Sequence, residues 1–408
     1  VTLRRKLEYE LIGALALVFF VCVLFAFAAP QAFSDMPAHL AKHERIMAGE
    51  ASTAYPVMYY ASEALRVILG LPLSFAYGVF LALGAVFVLF ALHWLFRRNA
   101  GAGPLPAFLG ALCVSVMLHV YFPGWILSIY FGQGGGNGWL NPSFTAMKPF
   151  SVAAFILFAQ LMDGLLRKKG AGEDYVLLAP PAARENALYA WFVLMCVLSL
   201  LAKPSFVFGF VFAGAILFLV RVRYFDKKFF LIMLAAGLAM GGVLLWQFSE
   251  IFKETGLHSG GVVFSPARAY HYISAMTQSV PVSLASNLLY PAVMLALFWR
   301  DIRPAKNNFY LLGWIFYGVS LVIAFTLSEV SYPEHLNMEW TKSIAIFMLN
   351  MTTTLEFLKS IKRRAKRRLG APAKARRIYD AKLAAVLACL LLELYTGILW
   401  LGMYVWPA

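Results

Sequence analysis

Long apolar runs separated by short polar stretches dominate the chain. Eleven runs are candidate membrane spans: 11–29, 73–95, 105–122, 148–166, 186–202, 204–220, 229–248, 281–298, 309–327, 341–358 and 381–405. A helix needs about 20 apolar residues to cross the hydrocarbon. The stretch 186–220 is too long for one crossing. Ala202-Lys203-Pro204-Ser205 stands in its middle, and proline disfavours helix at the residue before it. The pattern predicts two short helices turning at Lys203. The expected fold is all-α, a polytopic transmembrane helical bundle of about 11 helices with no soluble domain. No internal repeat of the transporter kind is visible.

The polar stretches are of two kinds. With the N-terminus inside, the outer stretches are 30–72, 123–147, 249–280 and 328–340, and the cytoplasmic ones are short and basic. In the first outer one, Ser34 or Asp35 with Pro37 just after marks a helix start. A helix beginning there puts Asp35, His39 and His43 on one face, at i, i+4 and i+8. Leu40, Ile46 and Met47 give it an apolar side suited to the membrane surface. Gly49-Glu50 ends it, and Tyr55-Pro56 begins a second helix that runs to Gly70.

Composition narrows the class. Of 408 residues, 61% are hydrophobic and only 13% charged, against roughly 25% charged in a soluble globular protein. A soluble enzyme, a secreted disulfide scaffold and a disordered chain are excluded. Cys22, Cys113, Cys196 and Cys389 all lie inside apolar runs. They read as small buried hydrophobes, not as disulfides or zinc ligands.

A net charge of +15 is first a matter of topology, because cytoplasmic segments of membrane proteins collect Lys and Arg. With the N-terminus in the cytoplasm, the outer side holds Lys42, Arg45, Arg66, Lys148, Lys203, Lys253, Arg268 and Lys342. The other 27 of the 35 basic residues fall inside. The run from Lys359 to Arg377 beside a membrane fits anionic lipid, and no nucleic-acid partner is expected. Arg4-Arg5-Lys6, an apolar stretch and Ala26-Phe27-Ala28-Ala29 resemble a signal peptide. The apolar stretch is long for one, and an uncleaved first helix is expected.

Candidate chemistry lies on the outer side. A carboxylate beside two imidazoles near the membrane face suits general-base work on a lipid-linked substrate. Three readings of this group stand: Asp35 and His39 as catalytic residues, Asp35 as a plain helix cap with His39 and His43 interfacial, or Asp35, His39 and His43 as metal ligands. No metal or other cofactor is assigned, although a divalent ion fits the third reading. The run Gly132-Gln133-Gly134-Gly135-Gly136-Asn137-Gly138 reads as a flexible turn or an anion cradle. It has no GK[ST] ending and is no nucleotide loop. Lys148 at the outer start of a helix favours a phosphate. Lys203, between two short helices, is expected to sink into the outer leaflet and face a polar cavity, or to snorkel. Asn141, His43, His119, Arg268, His271, Glu329, Glu334 and His335 are further outer-side candidates. Asp163 and Glu393 fall within spans and carry no assigned role.

A short N-terminus, a first helix and an acidic residue soon after it, in a long outer loop with surface helices, resemble the GT-C superfamily. These are multi-span glycosyltransferases that use polyprenyl-phosphate sugars. The resemblance rests on Ser34-Asp35-Met36-Pro37-Ala38-His39 with Gly49-Glu50 and Tyr55-Pro56. It also rests on Gly132-Gln133 with Trp139-Leu140-Asn141-Pro142-Ser143 and Lys148-Pro149-Phe150, and on Leu201-Ala202-Lys203-Pro204-Ser205-Phe206. It covers about residues 1–225, the conserved module, and leaves 226–408 as variable C-terminal transmembrane helices.

The resemblance implies that Asp35 is the general base of an inverting transfer on the extracytoplasmic face of a bacterial inner membrane. A polyprenyl-phosphate sugar is the implied donor, and a glycan, lipid or protein the acceptor. Position and charge make Lys148, Lys203 and Arg268 the donor-phosphate ligands. The paired acids of some GT-C members are absent, since Met36 follows Asp35. The alternatives are an O-antigen or polysaccharide polymerase or ligase, and a lipid-linked-sugar transporter or flippase.

Overall fold

A computed structural model describes residues 35–121, 141–169, 185–254, 261–277, 279–303, 306–331, 333–367 and 372–405, together with Gly13. The expected first span (Gly13 apart) and the glycine-rich run at 132–138 lie outside the described residues. The described elements are α1 (Met36–Met47), α2 (Pro56–Leu69), α3 (Leu73–Leu95), α4 (Pro104–Val116), α5 (Pro142–Lys168), α6 (Glu185–Ala202) and α7 (Ser205–Val220). They continue with α8 (Lys227–Glu254), β1 (Val262–Phe264), α9 (Pro266–Ala275), α10 (Val280–Ile302), α11 (Asn308–Thr326), β2 (Leu327–Glu329), α12 (Glu339–Arg367) and α13 (Ala373–Val405).

Among the described residues, eight helical stretches are long and apolar enough to cross a membrane. They involve α3, α5, α6, α8, α10, α11, α12 and α13. The protein is therefore a multi-pass integral membrane protein with a helical bundle. The runs at 105–122 and 204–220 form the shorter apolar helices α4 and α7, of 13 and 16 residues. Among the described residues, the departure from an all-α fold is the antiparallel pair β1–β2, with Val262 opposite Glu329 and Phe264 opposite Leu327. It joins two late loops that the sequence pattern leaves separate.

Burial sorts the spans. In their most apolar windows, 83% of α12 and 78% of α5 residues are buried, against 17% for α8. Hence α5 and α12 form the centre, while α8 presents its surface to lipid. One hydrophobic core contains residues from α3 through α13. At its middle Phe206 stacks on Phe210 at 4.6 Å, and both rings meet Phe316 edge-on. A Cβ on Gly209 would come within 2.6 Å of Thr341 and 3.0 Å of Phe316. The missing side chain lets α7 sit against α11 and α12, which sets the Lys203 turn beside the start of α12.

Two helices differ from the pattern. The run at 105–122 unwinds after Val116, because residues 117–121 find partners elsewhere. Leu118 N donates to the Glu393 carbonyl, Val120 N to the Ser286 carbonyl and Tyr121 N to Thr396 Oγ1. Non-helical backbone at membrane depth is tolerated where protein satisfies it. Helix α5 starts at Pro142, six residues before the expected 148, because Asn141 caps it. The Asn141 Oδ1 accepts from Phe144 N at 2.9 Å, and Pro142 occupies the first helical turn.

The two acids inside spans are buried. Glu393 Oε1 accepts from Tyr290 N at 3.1 Å, next to Pro291 inside α10. Asp163 Oδ1 accepts from Asn308 Nδ2 at 3.2 Å. Both are structural partners at helix irregularities or ends, where buried polar groups must be matched.

Candidate functional site

The antiparallel run of the bundle gathers several polar segments at one end. These are the start of α1, the start of α5, the α6–α7 turn, the end of β2 and the start of α12. Helix α1 begins with Asp35 at its cap position, as the proline spacing predicts, yet the Asp35 side chain makes no cap bond. Its Oδ2 instead accepts from Asn141 Nδ2 at 2.8 Å. The plain-cap reading of Asp35 is thereby corrected.

Asn141 is the hub. Its Oδ1 accepts from Lys203 Nζ at 3.2 Å and from Ser143 Oγ at 2.6 Å, besides capping α5. One amide thus links the carboxylate to the cation. Lys203 is 7% exposed. Its ammonium also donates to Ser143 Oγ and lies 4.7 Å from the Trp340 ring centre. That burial corrects the snorkelling reading of Lys203, whose backbone N closes α6 by bonding the Ser199 carbonyl.

Electrostatics follows from this packing. Burial raises the Asp35 carboxyl above its ordinary 3.8, against the pull of Lys203, the Asn141 bond and His335. Burial lowers Lys203 to about 8, against the opposing pull of Asp35 and Glu329. Burial, with the charges of Lys203 and Lys42, lowers His39 to about 3, so its imidazole is neutral at neutral pH. His39 Nδ1 shares a 2.8 Å hydrogen bond with the Tyr59 hydroxyl. Burial raises Glu329 too, with Asn337, His335 and Lys203 pulling it back down.

A cleft of about 160 Å³ opens beside Lys203. Tyr55, Lys203, Glu329 and Asn337 supply its polar wall, and Phe208, Leu244 and Phe248 its apolar one. Gln247 holds the α8 side in place by donating to the carbonyls of Ala54 and Leu200, at 2.8 and 2.6 Å. An apolar wall from α7 and the lipid-facing α8 with a buried cation in the lining suits an amphiphile with an anionic head.

The structure brings together Asp35, His39, Asn141 and Lys203, with His335 within electrostatic reach and Glu334 within reach of Glu329. Of the expected residues, Lys203 and Glu329 line the cleft itself; Asp35, His39 and Asn141 reach it through Lys203, and the others stand elsewhere. Lys148 lies between the Phe144 and Phe347 rings, 5.2 and 5.1 Å from their centres. Arg268 donates to the Val330 carbonyl at 2.8 Å. His271 is exposed against Tyr272. His43 bonds Tyr77 at 3.0 Å and Glu63 at 3.0 Å. It therefore ties α1 to α2 and α3, and among the described residues no three-ligand metal cluster occurs. His119 is buried.

Sequence reasoning missed Tyr59 and Trp340, which look like ordinary interfacial aromatics, and read Tyr55 only with Pro56 as a helix start and part of the family resemblance. It also missed the buried ion pair of Glu339 with Lys342 one turn into α12. The i, i+3 spacing of that pair was the available signal.

Fold and site together define a multi-pass helical membrane protein with a buried carboxylate–amide–ammonium chain at one end. No protein-family model, curated protein or solved structure matches the chain.

Proposed function

We propose that the protein is a membrane glycosyltransferase of the GT-C type, with about 11 spans. It takes a sugar from a polyprenyl-phosphate donor to an acceptor on the extracytoplasmic face, with inversion. The observation that carries this reading is the Asp35–Asn141–Lys203 chain beside a cleft with one apolar wall. Asp35 takes the proton of the acceptor hydroxyl. That oxygen bonds the anomeric carbon as the bond to the phosphate oxygen breaks, and the polyprenyl phosphate leaves toward Lys203. A carboxyl raised by burial is a better base than an ordinary one, and a buried ammonium stabilises a leaving phosphate. Neutral His39 flanks Asp35 one helical turn on and positions the acceptor. The end of the bundle that holds this site faces away from the cytoplasm in this reading, because the other end carries most of the basic residues.

The test is transfer from a panel of radiolabelled polyprenyl-phosphate sugars by the purified full chain. Asp35→Asn keeps the shape of the carboxylate, and the product is expected to fall by about 10²–10⁴-fold with thermal stability unchanged. Undiminished transfer by that variant refutes the base. A transporter would instead move the lipid-linked sugar in liposomes without a covalent product.

A further inference from the structure

A second polar cleft, of about 300 Å³, lies at the opposite end of the bundle. Trp340 and Glu356 are both on α12, 16 residues apart, or about 24 Å along a helix. The cleft is therefore remote from Lys203. It forms where α10 ends, α11 begins and α12 passes. Five cations line it: Arg300, Arg303, Lys306, Lys359 and Arg363. Two carboxylates, Asp301 and Glu356, also line it, which leaves an excess of positive charge.

Glu356 forms the buried floor. It accepts from Asn307 Nδ2 at 2.9 Å and from Lys359 Nζ at 2.7 Å, and it lies 3.6 Å from Arg363 Nη2. Asn307 in turn caps α11 through Tyr310 N. The floor is thus a fixed array that holds the charged ends of two cationic side chains, Lys359 and Arg363. Arg363 Nη1 is buried with no hydrogen-bond partner among the described residues. A buried guanidinium nitrogen without an acceptor is costly. Arg303 turns the chain with φ at 49°, a left-handed conformation that non-glycine residues seldom adopt.

We infer that this cleft binds a phosphate-bearing anion, either a phospholipid head group or a soluble phosphate. Guanidinium forks match phosphate oxygens in pairs. Basic pockets between spanning helices are suited to anionic head groups. The site is independent of the transferase reading, since it shares no residue with the other end.

The experiment uses the purified full chain. Native mass spectrometry measures retention of phosphatidylglycerol against phosphatidylcholine, and titration calorimetry measures inorganic phosphate. Retention of phosphatidylglycerol about tenfold above phosphatidylcholine, or saturable phosphate binding, is expected, and Arg363→Gln is expected to weaken it about tenfold. Arg300→Gln alters an exposed side chain and is expected to weaken it about threefold with thermal stability unchanged; it decides the matter if Arg363→Gln does not fold. Inorganic phosphate that displaces the lipid assigns the site to soluble phosphates as well. Lipid that resists displacement assigns it to head groups. Equal retention of both lipids with no phosphate binding overturns the inference, as does unchanged binding in a folded Arg363→Gln protein. So does an equal loss in Arg66→Gln at the other end of the bundle, which would mark diffuse attraction.

Discussion

Asn141 spends the two ends of its amide on opposite charges: its nitrogen on Asp35 and its oxygen on Lys203. Asn141→Ala removes both bonds and leaves a buried ammonium short of an acceptor. Such a loss costs about 1–3 kcal/mol, and transfer is expected to fall by roughly tenfold or more, with a higher KM for the donor. Steady-state kinetics on the folded variant checks this. The pH profile of transfer is expected to have two limbs. Asp35 acts as a carboxylate, so activity rises with pH through a value above its ordinary 3.8. Lys203 acts as a cation, so activity falls as pH rises through about 8. Lys203→Arg stays charged at all accessible pH. It is expected to remove the alkaline limb while keeping the acid one. An alkaline limb that persists in that variant assigns it to another group.

At the level of elements, α13 accommodates the chain that unwinds after α4. Gly397 lies against the Val116 carbonyl, and a Cβ there would overlap that backbone. Gly397→Ala is expected to destabilise the protein by about 1–3 kcal/mol, read as a lower midpoint in thermal unfolding in detergent. No relief is available, because backbone atoms rather than a flexible side chain are in the way. The bounds of α1 and α2 were legible in the sequence, since Pro37, Pro56 and Gly70 are local signals that act on their own backbone. The turn at Lys203 was legible for the same reason. The unwinding at 117–121 was not, because its cause is 275 residues away, at Glu393 and Thr396. The β1–β2 pairing was equally hidden, since three-residue strands carry no period to read.

Over the whole molecule, the helix directions put Arg97, Arg98, Arg221, Arg300 and Arg376 at one end and Asp35, Lys203 and Glu329 at the other. Sidedness is tested with single cysteines in a chain whose four native cysteines are replaced. Met47→Cys is expected to react with an impermeant maleimide from outside intact cells. Arg376→Cys is expected to react only after permeabilisation, since the positive end stays in the cytoplasm. Both positions are exposed, so burial does not confuse the result. The reverse pattern would place the Asp35 end in the cytoplasm and remove the basis for an extracytoplasmic reaction.

Apolar run length and the placement of prolines were enough to read eight of the eleven expected spans among the described residues, the α1 and α2 bounds and the Lys203 turn, because these depend on neighbours within a few residues. Sequence also singled out Asp35, Asn141 and Lys203 one at a time. Tertiary packing alone decided that a single amide joins them, that Lys148 and Arg268 stand elsewhere and that Trp340 covers the ammonium. Those contacts join segments 60 to 200 residues apart, and their distances depend on how α5, α7 and α12 pack, down to the absent side chain of Gly209.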